Sequence, residues 1–243
     1  MSPSLFPNKG HVVTKMDTIV LLADQDEYGV FAPALYEHNE ALKVVLARSA
    51  EELMAYDAGL LAGARLIAFA SSVIVPVAIL AALGHGAYNF HPGPPAYPGI
   101  APAHFALYDR AVEFGTTLHV MTERVDDGAI LDAQLFPIVP GTTIVALEAQ
   151  TYSVLVRQFF AFADVLAAET GPTAARPSIP WGHRKTTRRL YRSMCDIPLD
   201  ISQDDLDRRM QAFGANRFGM VPTITLHGVQ FRATLDPASD SSA

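Results

Sequence analysis

Cysteine is almost absent from this chain: Cys195 is its only one. An internal disulfide is therefore excluded, which fits a reducing cytoplasm, and an idle, buried thiol is the expected state. Basic charge is short as well. Eighteen lysines and arginines face 25 acids, for a net charge of −7, and such a surface repels a phosphate backbone. The amino-terminal stretch MSPSLFPNKGHVVTK has no apolar core of the signal-peptide kind. No glycine-rich phosphate fingerprint follows the first apolar run; ADQDEYG stands there instead, so neither a dinucleotide nor ATP is indicated. No group of His, Cys and Asp has zinc spacing, and no internal repeat is visible.

Charge itself vanishes between Arg65 and Asp109. The segment LIAFASSVIVPVAILAALG within that gap is about long enough to span a bilayer. The Ser71-Ser72 pair and Pro76 interrupt it, and a buried strand, a turn and a helix starting near Pro76 explain it better.

What is present is an alternation of strands and helices. Half of the residues are apolar, enough for a sizeable core. DTIVLLAD (17–24) is a continuous apolar run, as in a parallel strand covered on both faces. A helix follows with Phe31 and Leu35 one turn apart, then a strand at 43–47. Ser49 and Glu52 have capping-box spacing for a short helix. Strands at 65–71 and 86–92 bracket a helix at 76–83. The expected fold is α/β, Rossmann-like, with a mostly parallel twisted sheet, flanking helices and a small C-terminal helix and hairpin. Two later strands, 115–123 and 129–138, are joined by RVDDG at hairpin spacing. A long helix covers about 143–168. Ser202 is expected to cap a helix with Asp204 and Asp205 in its first turn, and a terminal hairpin turns at His227-Gly228. The domain reading is a flexible arm (1–16), a catalytic domain (17–180), an accessory segment (181–235) and a disordered tail (236–243).

Asn89 and His91 fall at the end of the fourth strand. Residues two apart in a strand share a face, and Pro92-Gly93-Pro94-Pro95 stops the strand at once. The pair is thus expected at the carboxyl edge of a parallel sheet, where open α/β folds bind ligands, with the imidazole open to a crevice. An Asn can donate to a developing oxyanion, and a His can move a proton near neutral pH. Asp126 and Asp127 offer an acid to orient it. Asn, His and Asp without an activated Ser or Cys suit a reaction in which the substrate brings its own nucleophile, such as an amine attacking a carbonyl carbon.

NFHPGPPAYPGIAPAHFAL followed by GTTLHVMTERVDDGAIL resembles the folate-dependent formyltransferase family, which includes methionyl-tRNA, glycinamide ribonucleotide and amino-sugar N-formyltransferases. The shared pattern is N-x-H-P with a Pro/Gly loop, a G-x-T-x-H strand and a D-x-G-x-I-L turn. The resemblance covers about residues 17–170, and the layout is most similar to a short amino-sugar N-formyltransferase. It implies catalytic roles for Asn89, His91 and Asp126, with Asp127 as the alternative register. It implies 10-formyltetrahydrofolate as donor, no metal and no NAD. The pterin would lie against Ser71, Ser72, Val73 and Ile74 and against Glu123, Arg124, Val125 and Asp127. Side-chain readings that need no ligand place Val73 and Ile74 in the core and leave Arg124 exposed. His104 and His119 are expected to be helix and strand residues without chemistry.

The rim residues Pro94, Tyr97 and Gly99 are expected on the acceptor side. Only 181–235 follow the linker, too few for the larger barrel domain of the tRNA enzymes. A small-molecule amine is the expected partner, with a nucleotide-linked amino sugar favoured and nucleic acid and membrane disfavoured. The basic run RKTTRRLYR (184–192) could meet a phosphate or could be a solvated face. A hydroxyornithine-type precursor and glycinamide ribonucleotide stay open as acceptors. Hydrolysis of formyltetrahydrofolate and a catalytically silent folate-binding protein stay open as functions. The terminal hairpin offers an edge for pairing with a second copy.

Overall fold

The apolar run near residue 20 becomes strand β1 (Thr18–Leu22), and every residue of it is buried. Strand β1 is flanked on both sides by parallel partners, β2 (Lys43–Ala47) and β3 (Ala64–Phe69). With no face toward water, such a strand has no need of polar alternation. The sheet continues through β4 (Ala87–His91), β5 (Glu113–Val120) and β6 (Ile130–Pro137), in the order β2-β1-β3-β4-β5-β6. Strands β5 and β6 run antiparallel, so the expected fold, a mostly parallel sheet with flanking helices and a small C-terminal hairpin, is the one observed. This computed structural model describes residues 15–168, 179–215 and 217–234. Most of the expected arm at 1–16, the linker residues 171–178 and the tail at 236–243 lie outside the described residues. No described helix is long and apolar enough to cross a membrane.

The chain divides into two compact units. Among the described residues, one holds 15–89, 120–123 and 160–168; the other holds 90–119, 124–159, 179–215 and 217–234. In the first, Val20, Leu22, Leu53, Leu61, Leu66 and Ile79 form a shared core. Helix α1 (Gln25–His38) buries Phe31 and Leu35, as their spacing predicts. Helices α2 (Ala50–Met54), α3 (Ala58–Ala62) and α4 (Val77–Ala82) are short. Ser49 does cap α2, accepting from the Glu52 N–H at 3.1 Å. The return arm of the box does not form. The Glu52 carboxylate instead accepts from the Arg48 N–H at 2.8 Å and pairs with its guanidinium at 2.9 Å, because the charged partner is the stronger one.

Arg65, the last charge before the uncharged stretch, is fully buried in β3. Its Nε donates to the His85 carbonyl at 3.2 Å, and its Nη1 reaches the Leu166 carbonyl. Asn39 donates to the Ala167 carbonyl at 3.1 Å. Leu166 and Ala167 close the last turn of α6 (Ile144–Ala168), where carbonyls lack helical partners. A cation at that end also complements the helix dipole.

In the second unit, α5 (Pro102–Tyr108) and the helices α7 (Arg188–Cys195) and α8 (Gln203–Phe213) enclose Phe105, Phe114, Tyr191 and Phe213. Phe105 and Tyr191 meet Phe213 edge-on, at 5.4 and 5.1 Å between centroids. Ser202 caps α8 as expected, accepting from the Asp205 N–H at 3.2 Å. Cys195 is buried, and burial pushes its thiol up to about 11, so it stays an inert thiol. His104 is buried in α5, and burial first, then Arg217, holds its imidazole down to about 3. The terminal hairpin pairs β7 (Thr223–Leu226) with β8 (Val229–Arg232). His227 and Gly228 both have positive φ, 48° and 82°, the backbone a two-residue primed turn requires.

Candidate active site

Strand β4 delivers Asn89 and His91 as the sequence predicts, and the proline-rich turn ends it. Asn89 is half-buried. His91 is not open to solvent as expected: only 4% of it is exposed. The turn itself covers it. A Cβ on Gly93 would stand 2.7 Å from His91 Nε2, so only glycine lets the backbone fold back so closely over the ring. The Tyr97 carbonyl lies 3.2 Å from the same nitrogen. Thr117 Oγ1 donates to the Gly93 carbonyl at 2.7 Å and fixes the turn from below.

Of the two candidate acids, Asp126 is the one at the imidazole. Its Oδ2 lies 3.5 Å from His91 Nδ1, and the side chain is as buried as His91. Asp127 is exposed. Asp126 has a φ of 45°, a conformation Asp tolerates better than most residues, and this turns its carboxylate inward. The Gly99 N–H donates to Oδ2 at 2.7 Å. Gly99 itself has φ 104°, and a Cβ there would meet the Thr186 carbonyl at 2.1 Å. The rim loop thus contributes a backbone donor to the carboxylate.

His119 joins the cluster from strand β5. Its Nε2 lies 3.3 Å from Asp126 Oδ1, so one carboxylate serves two imidazoles. The i, i+2 spacing of Thr117 and His119 in G-x-T-x-H places both on one face of β5, the signal that could have found it; the register shift opposite them leaves the extra residue, Leu131, on β6. Trp181 is a second residue the sequence did not single out. Its ring centroid is 4.9 Å from that of His119 and 6.0 Å from that of His91. No local motif marks it, since it comes from 53 positions beyond its Gly128 hydrogen-bond partner.

The electrostatics separate the two partners. Burial pushes the Asp126 carboxyl up, but His91, His119 and the Gly99 N–H outweigh it and hold it down to about 2. Burial lowers the His91 imidazole, against the opposing pull of Asp126. A neutral imidazole therefore faces an ionised carboxylate near neutral pH. It carries one N–H, while acceptors stand at both of its nitrogens, so a second proton is the one the site can still satisfy.

The rim residues divide. Pro94 is buried, and its carbonyl accepts the Tyr97 N–H at 2.9 Å in a turn. Tyr97 is half-buried and lines a cleft of about 170 Å³ with Ala96, Phe105, Asp109, Arg184 and Thr186. Burial, then Asp109, pushes its phenol up to about 12. In the basic run, Arg184 pairs with Asp109 at 3.2 Å and the Lys185 amino group contacts the Val125 carbonyl. These two cations are therefore engaged with the protein rather than freely solvated.

The folate candidates are mostly open to solvent. Ser71 and Val73 are half-buried, and Ser72 is exposed. Ile74 is 67% exposed, which corrects its assignment to the core: the chain leaves β3 at Ala70, with φ 47°, and only Val75 of this loop is buried. Glu123, Arg124 and Val125 are exposed, Val125 at 43%.

A mostly parallel α/β sheet with an imidazole–carboxylate cluster at the carboxyl end of a strand has the architecture of the doubly wound class, with polar groups at the sheet edge where such folds bind ligands. The chain belongs to the formyl transferase family, whose sequence profile matches residues 16–159. A methionyl-tRNA formyltransferase from Listeria monocytogenes serotype 4a is 38% identical over 89 residues, 36% of this chain and 27% of that protein. The chain therefore spans about a quarter of the length of that curated relative. A sugar N-formyltransferase from a Shewanella species superposes with a TM-score of 0.74 at 18% identity, over 90% of this chain and 97% of the other. An N-formyltransferase from Helicobacter canadensis, in complex with folinic acid and dTDP-3-aminofucose, superposes with a TM-score of 0.63 at 14% identity, over 88% and 85%. At these identities the two structures speak to the fold.

Proposed function

We propose that this chain transfers a formyl group from 10-formyltetrahydrofolate to the amine of a small molecule, with a nucleotide-linked amino sugar as the favoured acceptor. The observation that carries this reading is the buried His91–Asp126 pair, 3.5 Å apart, one residue of chain away from the Pro/Gly rim. Asn89 is the oxyanion donor, on the same strand as His91. His91 takes the proton that the attacking amine loses, Asp126 stabilises the resulting imidazolium, and that proton is given to N10 as the bond from the formyl carbon to N10 breaks and tetrahydrofolate leaves. The Tyr97 carbonyl stands at Nε2, so the acceptor amine gains that nitrogen by displacing it.

The donor is assigned, from the sequence resemblance, to residues 71–74 and 123–127, in which Ile74 and Val125 are each exposed. Backbone groups of 71–74 and 123–127, with the Asp127 carboxylate, would read the pterin edge. Tyr97 and Gly99 belong to the acceptor side; Pro94 shapes that rim without facing it. The sugar-nucleotide reading rests on the Shewanella and Helicobacter neighbours, which share the layout over nearly the whole chain. Part of the same proposal is a cytoplasmic homodimer paired through the C-terminal hairpin.

The test is tetrahydrofolate release from 10-formyltetrahydrofolate, with and without dTDP-linked amino sugars and other amines. Amine-dependent release supports transfer. Release without amine means hydrolysis, and binding without release means a folate-binding protein; either result overturns the proposal.

A further inference from the structure

The family profile ends at residue 159, yet four residues from a segment beyond it hold the cluster and its rim in place. Trp181 Nε1 donates to the Gly128 carbonyl at 2.7 Å, two residues after Asp126. The Lys185 amino group contacts the Val125 carbonyl, one residue before Asp126. The turn that carries the carboxylate is therefore gripped on both flanks by one hexapeptide, 181–186. The same hexapeptide grips the rim: the Gly182 N–H donates to the Pro95 carbonyl at 2.8 Å, and the Thr186 N–H to the Pro98 carbonyl at 2.9 Å.

The grip has something to oppose. Asp126 sits at positive φ, a conformation that costs about 1 kcal/mol for a residue with a Cβ and persists only where neighbours enforce it. The indole also stands edge-to-face on His119, at an interplanar angle of 89°, and on His91, at 73°. An aromatic ring there excludes water from one side of both imidazoles.

We propose that Trp181, with Lys185 on the opposite flank, is a positioning residue for the His91–Asp126–His119 cluster. The kinetic part of this rests on the formyl-transfer reading; the geometric part does not. Trp181 is the only tryptophan in the chain, so its emission is a direct probe of the cluster. Protonated imidazole quenches indole. The titratable groups near the ring are His91, His119 and Asp126, with His183, Lys185 and Asp127 exposed around them.

Emission of the full chain is to be titrated from pH 5 to 9 in the wild type and in His183→Gln, His119→Gln, Asp126→Asn and Lys185→Met. The expected result is a loss of emission on the acid side that survives His183→Gln, shrinks in His119→Gln, and shifts its midpoint in both Asp126→Asn and Lys185→Met. In the transfer assay, Trp181→Phe keeps a ring but loses the donor. It is expected to lower kcat by about ten- to a hundredfold, the scale of a small misplacement, with KM for the acceptor little changed. Lys185→Met is expected to act in the same direction. Emission that is flat with pH, a midpoint indifferent to Asp126 and Lys185, or a Trp181→Phe enzyme with wild-type kcat and pH profile would overturn the inference. If the wild type transfers nothing, the functional reading fails, and the emission titration alone still decides this one.

Discussion

Asp126 and Asp127 are neighbours in sequence and opposites in environment. Asp126 has 4% of its surface exposed and holds two imidazoles and a backbone N–H, while Asp127 faces solvent. Asp126→Asn and His91→Ala are each expected to lower turnover by about a hundredfold or more, the usual loss when an acid–base group is removed. Asp127→Asn should leave turnover nearly intact while weakening folate binding, as measured by the KM for the donor. The pH dependence follows from the same pair. His91 is lowered by burial against the pull of Asp126, so the acidification that protonates it and removes the base comes below the ordinary histidine range. The acid limb of kcat/KM should therefore fall with an apparent pKa below the ordinary histidine value of about 6.5. Asp126 is what pulls His91 up, so the residual activity of Asp126→Asn should have its acid limb at still lower pH. Stability has the same sign. A carboxyl lowered on folding contributes stability that is present above its unfolded pKa and is lost as pH falls toward 2. A midpoint that moves upward in Asp126→Asn would contradict this electrostatic assignment.

Among elements, the long helix α6 depends on a residue 100 positions away. Arg65 is buried without solvent and donates to the Leu166 carbonyl in the last turn, with Asn39 beside it on the Ala167 carbonyl. Removing one side of a buried charge-assisted network typically costs about 3–5 kcal/mol, because the remaining polar groups lose their partners. Arg65→Met removes the cation itself and strands only backbone carbonyls, those of His85 and the end of α6, so about 2–3 kcal/mol is expected, read from urea unfolding followed by circular dichroism. Arg65→Lys should recover little of it, since one ammonium cannot reproduce the guanidinium fork. A loss under about 0.5 kcal/mol, the scale of an ordinary surface change, would show that α6 ends securely without this residue. Such contacts explain what could and could not be seen in the sequence. The apolar run of β1, the Phe31–Leu35 pair in α1 and the Ser202 cap of α8 are local patterns, and each appears where its period predicts. So does the end of β4 at the prolines, which put Asn89 and His91 in place. Arg65 on α6, Trp181 on Gly128 and Thr186 on Gly99 are contacts between distant segments, and no local period encodes them. Ile74 shows the complementary error: an apolar residue in an apolar run was assigned inward, but the left-handed turn at Ala70 took the chain out of the strand. His119 meets Asp126 across seven positions and a strand end, a contact that the period of β5 alone does not encode.

At the scale of the whole molecule, the terminal hairpin poses the remaining energetic question. Its register pairs Ile224 with Phe231 and Leu226 with Val229, while Thr223 pairs with Arg232 and Thr225 with Gln230. Side chains alternate across a strand, so all four apolar residues share one face and the polar ones the other. Both faces are in water, the apolar one included: Ile224, Leu226, Val229 and Phe231 are 36, 42, 56 and 54% exposed. A two-stranded sheet is marginal by itself, and β8 has no second partner strand among the described residues. A copy of the same hairpin satisfies both needs, since a two-fold axis brings identical apolar faces together and needs no complementary surface elsewhere. The protein is thus expected to sediment as a dimer at micromolar concentration. Phe231→Glu would place a like charge from each copy at that contact and should give a monomer. Its melting temperature extrapolated to high dilution should match the wild type within the small range of a surface substitution, about 0.5 kcal/mol. A wild type that sediments as a monomer at tens of micromolar, or a Phe231→Glu variant that stays dimeric, would remove the hairpin from the interface and leave its apolar face to some other partner.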